Sequence, residues 1–162
     1  MTTIRRARAR EAGMLTSLSL RSKATSGYDE AFMAACVAEM TVNPADIAAG
    51  EVWVGEDGSQ EPAPVGFYEL IIADDGSGAG ELCKLYVAPE AKGTGVGGAL
   101  WRHIELRAAH HGLTRIGLDA DPFAQAFYQH MGCVVVGSSP SGSIPGRTLP
   151  RMEKTLTFKA KG

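Results

Sequence analysis

A glycine-rich segment in the middle of the chain constrains the fold more than any other feature. Residues 92–98 read Lys-Gly-Thr-Gly-Val-Gly-Gly and lie between a predicted strand and a predicted helix. A strand-to-helix turn needs one or two glycines, whereas this segment has four. Glycines let the backbone approach a ligand closely, and the free N–H groups at a helix start favour phosphate oxygens. The segment therefore predicts an anion-binding loop.

Length and charge limit the alternatives. A chain of 162 residues is long enough for one domain with a real core, so we expect a single domain over residues 1–162. The net charge of −2 offers no field that would concentrate nucleic acid or anionic lipid. We expect no nucleic-acid or membrane partner, and a cytoplasmic location, because no run approaches the ~20 apolar residues of a membrane span.

The pattern along the chain predicts an α+β fold. Short apolar runs and helical stripes alternate in an order that gives a mixed, mainly antiparallel sheet with one strand–helix–strand crossover in the middle. The Pro/Gly/Ser-rich residues 138–150 are predicted to form a long connection. The predicted strands are 3–7, 52–56, 65–72, 81–87, 115–119, 134–137 and 152–156, and the predicted helices are 11–24, 29–42, 96–111 and 122–131.

The glycines also satisfy the dinucleotide-binding pattern G-x-G-x-x-G, as Gly93, Gly95 and Gly98. Asp119 ends the next strand about 20 residues on, where that pattern has an acidic residue. Against this reading, residues 88–92 separate the strand from the first glycine, and the motif follows four strands rather than one. A dinucleotide-binding module remains the alternative.

Two segments resemble the GNAT superfamily of acyl-CoA-dependent N-acetyltransferases. Residues 85–100 are similar to its pyrophosphate-binding segment, in which Lys92, Gly95 and Gly97 fill the pattern Q/R-x-x-G-x-G/A with Lys in place of Gln or Arg. Residues 121–133 resemble the family's N-x-x-A-x-x-F-Y-x-x-x-G-F, with Asp in place of the first Asn and Cys in place of the last Phe. The element order also agrees, so the resemblance covers nearly the whole chain.

The resemblance implies transfer of an acetyl group from acetyl-CoA to a primary amine, on a small molecule or a protein, without a metal. A homodimer is compatible with the family, and a non-catalytic acyl-CoA sensor is a further alternative. The residues that the resemblance assigns to the coenzyme are Leu85, Tyr86, Val87, Lys92, Gly93, Thr94, Gly95, Val96, Gly97, Gly98 and Asp121.

Acyl transfer to an amine requires two proton movements. The amine attacks only as the free base, although its pKa in water is roughly 10.4, and the departing thiolate takes up a proton. By resemblance, Tyr128 donates to the thiolate, and the alternative is a purely structural role on an apolar helix stripe. Glu81 is the candidate base, expected on one strand face with Cys83, Leu85 and Val87. Its alternative role is a solvated carboxylate at a strand end.

Acceptor choice is expected to depend on two loops, residues 22–29 and 138–150, neither of which identifies the amine. On the central helix, which also carries His110, His103 and His111 flank Arg107 at four-residue steps without a carboxylate beside them. We expect these histidines to lie on a solvated helix face rather than in a metal or catalytic site.

Overall fold

The computed structural model describes residues 2–157, which form a sheet flanked by helices. Short 3₁₀ turns at 9–11, 89–91 and 122–124 join several elements. The strands are β1 Thr3–Arg6, β2 Glu51–Glu56, β3 Pro64–Ile72, β4 Ala79–Val87, β5 Arg115–Asp119, β6 Val134–Pro140 and β7 Thr148–Thr155. The helices are α1 Ala12–Ala24, α2 Glu30–Met40, α3 Pro44–Ala49, α4 Val96–His110 and α5 Gln125–His130.

The sheet has the order β1-β2-β3-β4-β5-β7-β6. Within residues 2–157, β4 and β5 form its one parallel pair, and α4 is the crossover that joins them. All other neighbours are antiparallel. The predicted α+β class is confirmed. A dinucleotide-binding fold would require a mainly parallel sheet, which this chain does not form.

The core lies on both faces of β3 and β4. Helix α4 covers one face with Leu100 and Ile104, both fully buried, and Gly66 on β3 leaves the room that Leu100 occupies. Helix α1 covers the other face with Leu15 and Leu18. Each such side chain contributes about 1.5–3 kcal/mol by its burial, so the two helices hold the centre of the sheet rigidly beneath the glycine segment.

Two predictions about the helices need correction. The helical spacing of Met33, Cys36, Val37 and Met40 predicts one apolar stripe on α2, yet Val37 is 44% exposed, because the helix packs inward through Cys36 and Met40. The helix α3 was not predicted, although Asn43-Pro44 carries its signal. The Asn43 side chain accepts a hydrogen bond from Ala45 N at 2.9 Å and so caps the new helix.

The long connection predicted over residues 138–150 is shorter in the structure. Six of its thirteen residues extend β6 and β7, with Ser138 opposite Pro150 and Pro140 opposite Thr148, and residues 141–147 form the turn. Pro140 is tolerated because β6 is an edge strand. No helix within residues 2–157 is long and apolar enough to cross a membrane.

Candidate active site

Two parallel strands separate and open a cleft in the sheet. β4 and β5 pair only from Ala79 to Glu81, opposite Arg115 to Gly117, and then diverge. The second half of β4 therefore keeps its antiparallel partner β3 but has no partner on the β5 side among residues 2–157. A cavity of about 500 Å³ fills the gap. Backbone polar groups that a sheet would normally use are thus available to a ligand.

A β-bulge lies at the mouth of this cleft. Glu69 on β3 faces Lys84, and the next residue, Leu70, faces Leu82, so Cys83 has no partner in the ladder. The extra residue reverses the alternation of side chains along the strand. Glu81 therefore lies on one face with Lys84 and Tyr86, and the predicted grouping with Cys83, Leu85 and Val87 is wrong. The bulge brings Cys83 into the cavity wall.

Residues 92–98, termed the glycine loop below, line one end of the cavity and begin α4. Gly93 and Gly95 have φ angles of 81° and 90°, a left-handed conformation that side chains strain. No protein atom lies within 4 Å of where a Cβ at Gly95 would stand. Gly97 differs, because its Cβ would stand 3.2 Å from the Phe127 ring. Gly95 thus leaves room for a ligand, whereas Gly97 also allows helix packing.

The remaining coenzyme residues expected from the sequence are mostly placed around the same cavity. Leu85, Tyr86, Val87, Lys92, Gly93, Val96, Gly98 and Asp121 all line it. The Val96 side chain is buried in the core, so only its backbone can face a ligand. Thr94 is the exception, because its hydroxyl turns back to the Ala91 carbonyl. Lys92 Nζ donates to Ser22 O at 3.2 Å and to the Thr25 hydroxyl, which ties the glycine loop to the end of α1.

Tyr128 lies on α5 and reaches the cavity from below. Its ring is 7% exposed and packs edge-on against Trp101 and Phe127, with centroid distances of 6.0 and 5.2 Å. No group among residues 2–157 forms a hydrogen bond with its hydroxyl, and because every fully buried side-chain polar atom there has a partner, this hydroxyl opens to the cavity. Burial, and then the nearby Tyr86, raise the pKa of Tyr128 well above its ordinary value. The phenol therefore stays neutral and free to donate to a ligand.

The predicted base, Glu81, is part of an ionic triad across three strands. Arg151 on β7 donates to both Glu81 carboxylate oxygens at 2.5 and 2.7 Å and to Asp119 Oδ1 at 3.3 Å. Gly117 lies beneath the guanidinium, where any Cβ would collide with it. Hydrogen bonds from Glu81, opposed by burial and supported by Asp119, raise the pKa of Arg151. Asp119 lines the cavity at the end of this triad.

Asp121 joins both loops that were expected to select the acceptor. Its carboxylate accepts from Phe123 N at 2.9 Å, and so caps the turn that leads into α5. The Tyr28 hydroxyl donates to Asp121 at 2.9 Å and accepts from Arg147 Nη2 at 2.8 Å, while Lys23 Nζ lies 3.2 Å from the carboxylate. Burial raises the pKa of Asp121, but its hydrogen bonds and Lys23 outweigh burial and lower it.

These four residues, Lys23, Tyr28, Asp121 and Arg147, are termed the Asp121 cluster. The sequence indicated the two loops but not that Lys23, Tyr28 and Arg147 contact Asp121. The Asp at position 121, where the family pattern has Asn, is the sequence signal for these contacts. A half-buried carboxylate calls for cationic partners, and both loops contain them.

The prediction of a solvated helix face is wrong for His103, which is half-buried on α4, whereas His110 and His111 at the end of that helix are exposed. His103 Nδ1 lies 2.7 Å from the Tyr68 hydroxyl, and its ring is tilted by 54° against Trp53. His111 Nε2 lies 2.9 Å from Glu51 Oε1, and Arg107 binds the same carboxylate. Glu51 is far away in sequence, so no local pattern shows the pairing. No group of metal-binding side chains occurs in residues 2–157.

Comparison with known proteins agrees with this geometry. Residues 18–133, more than half of the chain, match the acetyltransferase (GNAT) family. The PaiA N-acetyltransferase of Thermoplasma acidophilum, solved with coenzyme A, is similar with a TM-score of 0.77 and 21% identity, over 96% of this chain and 99% of that one.

Two further solved structures share the fold. A GCN5-related N-acetyltransferase of Rhodopseudomonas palustris has a TM-score of 0.75 and 22% identity, over 96% of each chain. The YncA acetyltransferase of Salmonella typhimurium, solved with acetyl-CoA, has a TM-score of 0.67 and 18% identity, over 100% of this chain and 98% of that one. The chain belongs to the GNAT acetyltransferase family and is an acyltransferase.

Proposed function

We propose that this protein transfers the acetyl group of acetyl-CoA to the nitrogen of a primary amine. One observation carries the proposal. A neutral phenol without a protein partner, Tyr128, lies in the same cavity as a glycine loop suited to phosphate. A single thioester ligand with a pyrophosphate at one end can engage both features at once.

The coenzyme's pyrophosphate would lie against the N–H groups of the glycine loop at the start of α4, with Lys92 supplying positive charge. The free backbone of Leu85 to Val87 would hold the arm that carries the thioester. The separation of β4 from β5 leaves one edge of β4 without a neighbouring strand. The arm of the coenzyme would lie along that edge, as a paired strand does elsewhere in the sheet.

In the proposed reaction the amine nitrogen attacks the thioester carbonyl carbon and forms a tetrahedral intermediate. Its C–S bond then breaks, the sulfur leaves with the bonding electrons and takes the Tyr128 hydroxyl proton, and water reprotonates the tyrosinate. The ammonium proton passes to water or a carboxylate at the mouth of the cleft. The products are the N-acetylated amine and coenzyme A with its thiol.

Of the two carboxylates at the mouth, we assign Glu81 a positioning role. Both Glu81 carboxylate oxygens accept hydrogen bonds from Arg151, and Asp119, not Glu81, lines the cavity. Glu81 thus fixes the guanidinium that also contacts Asp119 in the cavity wall.

We expect Glu81→Gln to lower turnover by less than about 10-fold, below the range typical of a lost general base. Glu153→Gln is the matched control, because Glu153 pairs with exposed Arg115 away from the cleft. The measurement is the pH–rate profile from neutral to alkaline pH. A large loss at neutral pH that recovers at high pH, where the amine is already free, would make Glu81 the base after all.

The function itself is tested with a panel of amines and acetyl-CoA, read as release of the coenzyme A thiol. Small monoamines, diamines, amino acids and a lysine-containing peptide cover the acceptor classes. We expect release above the rate of hydrolysis with at least one class, together with mass-spectrometric detection of the acetylated product. Tight binding of acetyl-CoA without acetylation of any amine would contradict the proposal and support the sensor alternative.

A further inference from the structure

The Asp121 cluster contains more positive charge than its single carboxylate neutralises. Lys23 and Arg147 both approach Asp121, at 3.2 and 3.7 Å, and the remaining member, Tyr28, is a phenol. Burial, together with the hydrogen bond to Asp121, raises the pKa of Tyr28 to about 12, so the phenol adds no negative charge. Among the carboxylates of α2 and its cap, Asp29 accepts a hydrogen bond from Phe32 N at 2.8 Å, and Glu39 accepts one from the Ser143 hydroxyl.

Arg147 is held in place with most of its donors unused. Its side chain is 19% exposed, and its guanidinium lies over the Phe32 and Tyr28 rings at 4.9 and 5.3 Å. Those two rings stack on each other at 4.0 Å and give the guanidinium a rigid floor. Among residues 2–157, its side chain makes one hydrogen bond, to the Tyr28 hydroxyl. A guanidinium has five N–H donors in a planar fork that matches a carboxylate.

The cluster adjoins the cavity that contains Tyr128 and the glycine loop. Lys23 and Asp121 line the cavity, and Arg147 lies in the β6–β7 turn directly beside Asp121. A second contact, between Ser143 and Glu39, also holds this turn against α2. An anionic group bound by the cluster would therefore be fixed within reach of the cleft between β4 and β5.

We infer that the acceptor amine carries a carboxylate, which Arg147 and Lys23 bind beside Asp121. This inference rests on the proposed function and specifies its acceptor. The excess positive charge favours an anion. The planar, rigidly stacked guanidinium has free donors that match the two oxygens of a carboxylate. An amine without the carboxylate would leave the guanidinium unmatched, and so would be a poorer substrate.

The test compares amines in matched pairs that differ by the carboxylate. The pairs are phenylalanine with phenethylamine, lysine with cadaverine, and 4-aminobutyrate with propylamine. We expect kcat/KM to favour the carboxylate-bearing member of at least one pair by about 10-fold or more, the usual value of a charge-assisted hydrogen bond. Equal values within every pair would overturn the inference and leave the proposed function intact.

Two variants of Arg147 and a control assign the preference. Arg147→Gln should reduce the ratio within the pair towards one, and Arg147→Lys should restore part of it, because it keeps the charge without the fork. Arg115→Gln, at the opposite end of β5 from the cluster, should keep the parent ratio. If Arg147→Gln instead weakens acetyl-CoA binding and leaves the ratio unchanged, the guanidinium serves the coenzyme and the inference is wrong.

A binding measurement decides the inference even if no amine is acetylated. With coenzyme A at saturation, N-acetylphenylalanine should raise the melting temperature more than N-acetylphenethylamine does, and Arg147→Gln should abolish that difference. Failure of thiol release with every amine would contradict the proposed function, whereas an equal shift with both compounds would contradict the carboxylate site.

Discussion

Replacement of Tyr128 by Phe is expected to reduce turnover by about 100-fold or more, the usual contribution of a positioned acid. The thiol of coenzyme A has a pKa of roughly 8.5, so the thiolate leaves more easily when a hydrogen bond stabilises its developing charge. The variant keeps the ring that packs against Trp101 and Phe127 and removes only the hydroxyl. Steady-state kinetics at saturating acetyl-CoA provide the measurement.

Stability should be nearly unaffected by this change. Because the Tyr128 hydroxyl forms no hydrogen bond with another group within residues 2–157, its removal breaks none in that part of the protein. We expect the free energy of unfolding to change by less than about 0.5 kcal/mol. Loss of the fold in Tyr128→Phe would make the residue structural first, and intact turnover would remove it from the mechanism.

Tyr68 offers the matched control, because it is also a buried tyrosine but its hydroxyl has a hydrogen-bond partner within the protein. Its hydroxyl lies 2.7 Å from His103 Nδ1, inside the core beneath α4 and outside the cavity wall. Tyr68→Phe should therefore lower the free energy of unfolding by about 1 kcal/mol while turnover stays near the parent value. The two variants together show whether turnover depends on the Tyr128 hydroxyl itself or falls whenever a buried tyrosine hydroxyl is removed.

The pH dependence follows from the same burial. A raised pKa keeps the Tyr128 hydroxyl protonated to higher pH than an exposed phenol, so its donor function persists as the pH rises. Ionisation of Tyr128 should consequently cause no decline in the turnover of the parent up to about pH 10. The shape of the pH–rate profile over this range should therefore be the same in Tyr128→Phe.

How much of this site could be predicted from sequence depends on how local each signal is. The glycine loop, the turn that Asp121 caps before α5 and the Tyr128 position follow from short motifs, and their spacing fixes them at one end of the sheet. Strand β5 was predicted with its observed bounds for the same reason, because Arg115–Asp119 is a short apolar run between two turns.

Features that need a distant partner could not be predicted. The bulge at Cys83 exists only because β3 pairs with β4 in one register, and nothing in either strand alone marks the extra residue. The ion pair of Glu81 could not be predicted either, because its partner Arg151 lies seventy positions away in the sequence. Residues 138–150 were taken for a loop because composition cannot distinguish a Pro- and Ser-rich edge strand from a turn.

The largest expected effect on binding is that of Gly95→Val, which should abolish the rise in melting temperature produced by acetyl-CoA. At φ 90° a β-branched residue is strained, by about 1–2 kcal/mol, and its side chain would stand in the open space above the start of α4. That space contains no protein atom, so the side chain excludes only what binds there. Isothermal titration with acetyl-CoA and with coenzyme A measures the loss.

Gly112→Val separates backbone strain from exclusion of the ligand. Gly112 has a φ of 68°, and a Cβ there would also meet no atom within 4 Å. It follows the other end of α4, a helix of 15 residues and so about 22 Å long. Both variants should lose similar stability without ligand, because both force a branched residue into the left-handed region. Only Gly95→Val should lose acetyl-CoA, since only there would the new methyl groups occupy the phosphate position. Equal affinity in the two variants would mean that the glycine loop is a turn and nothing more.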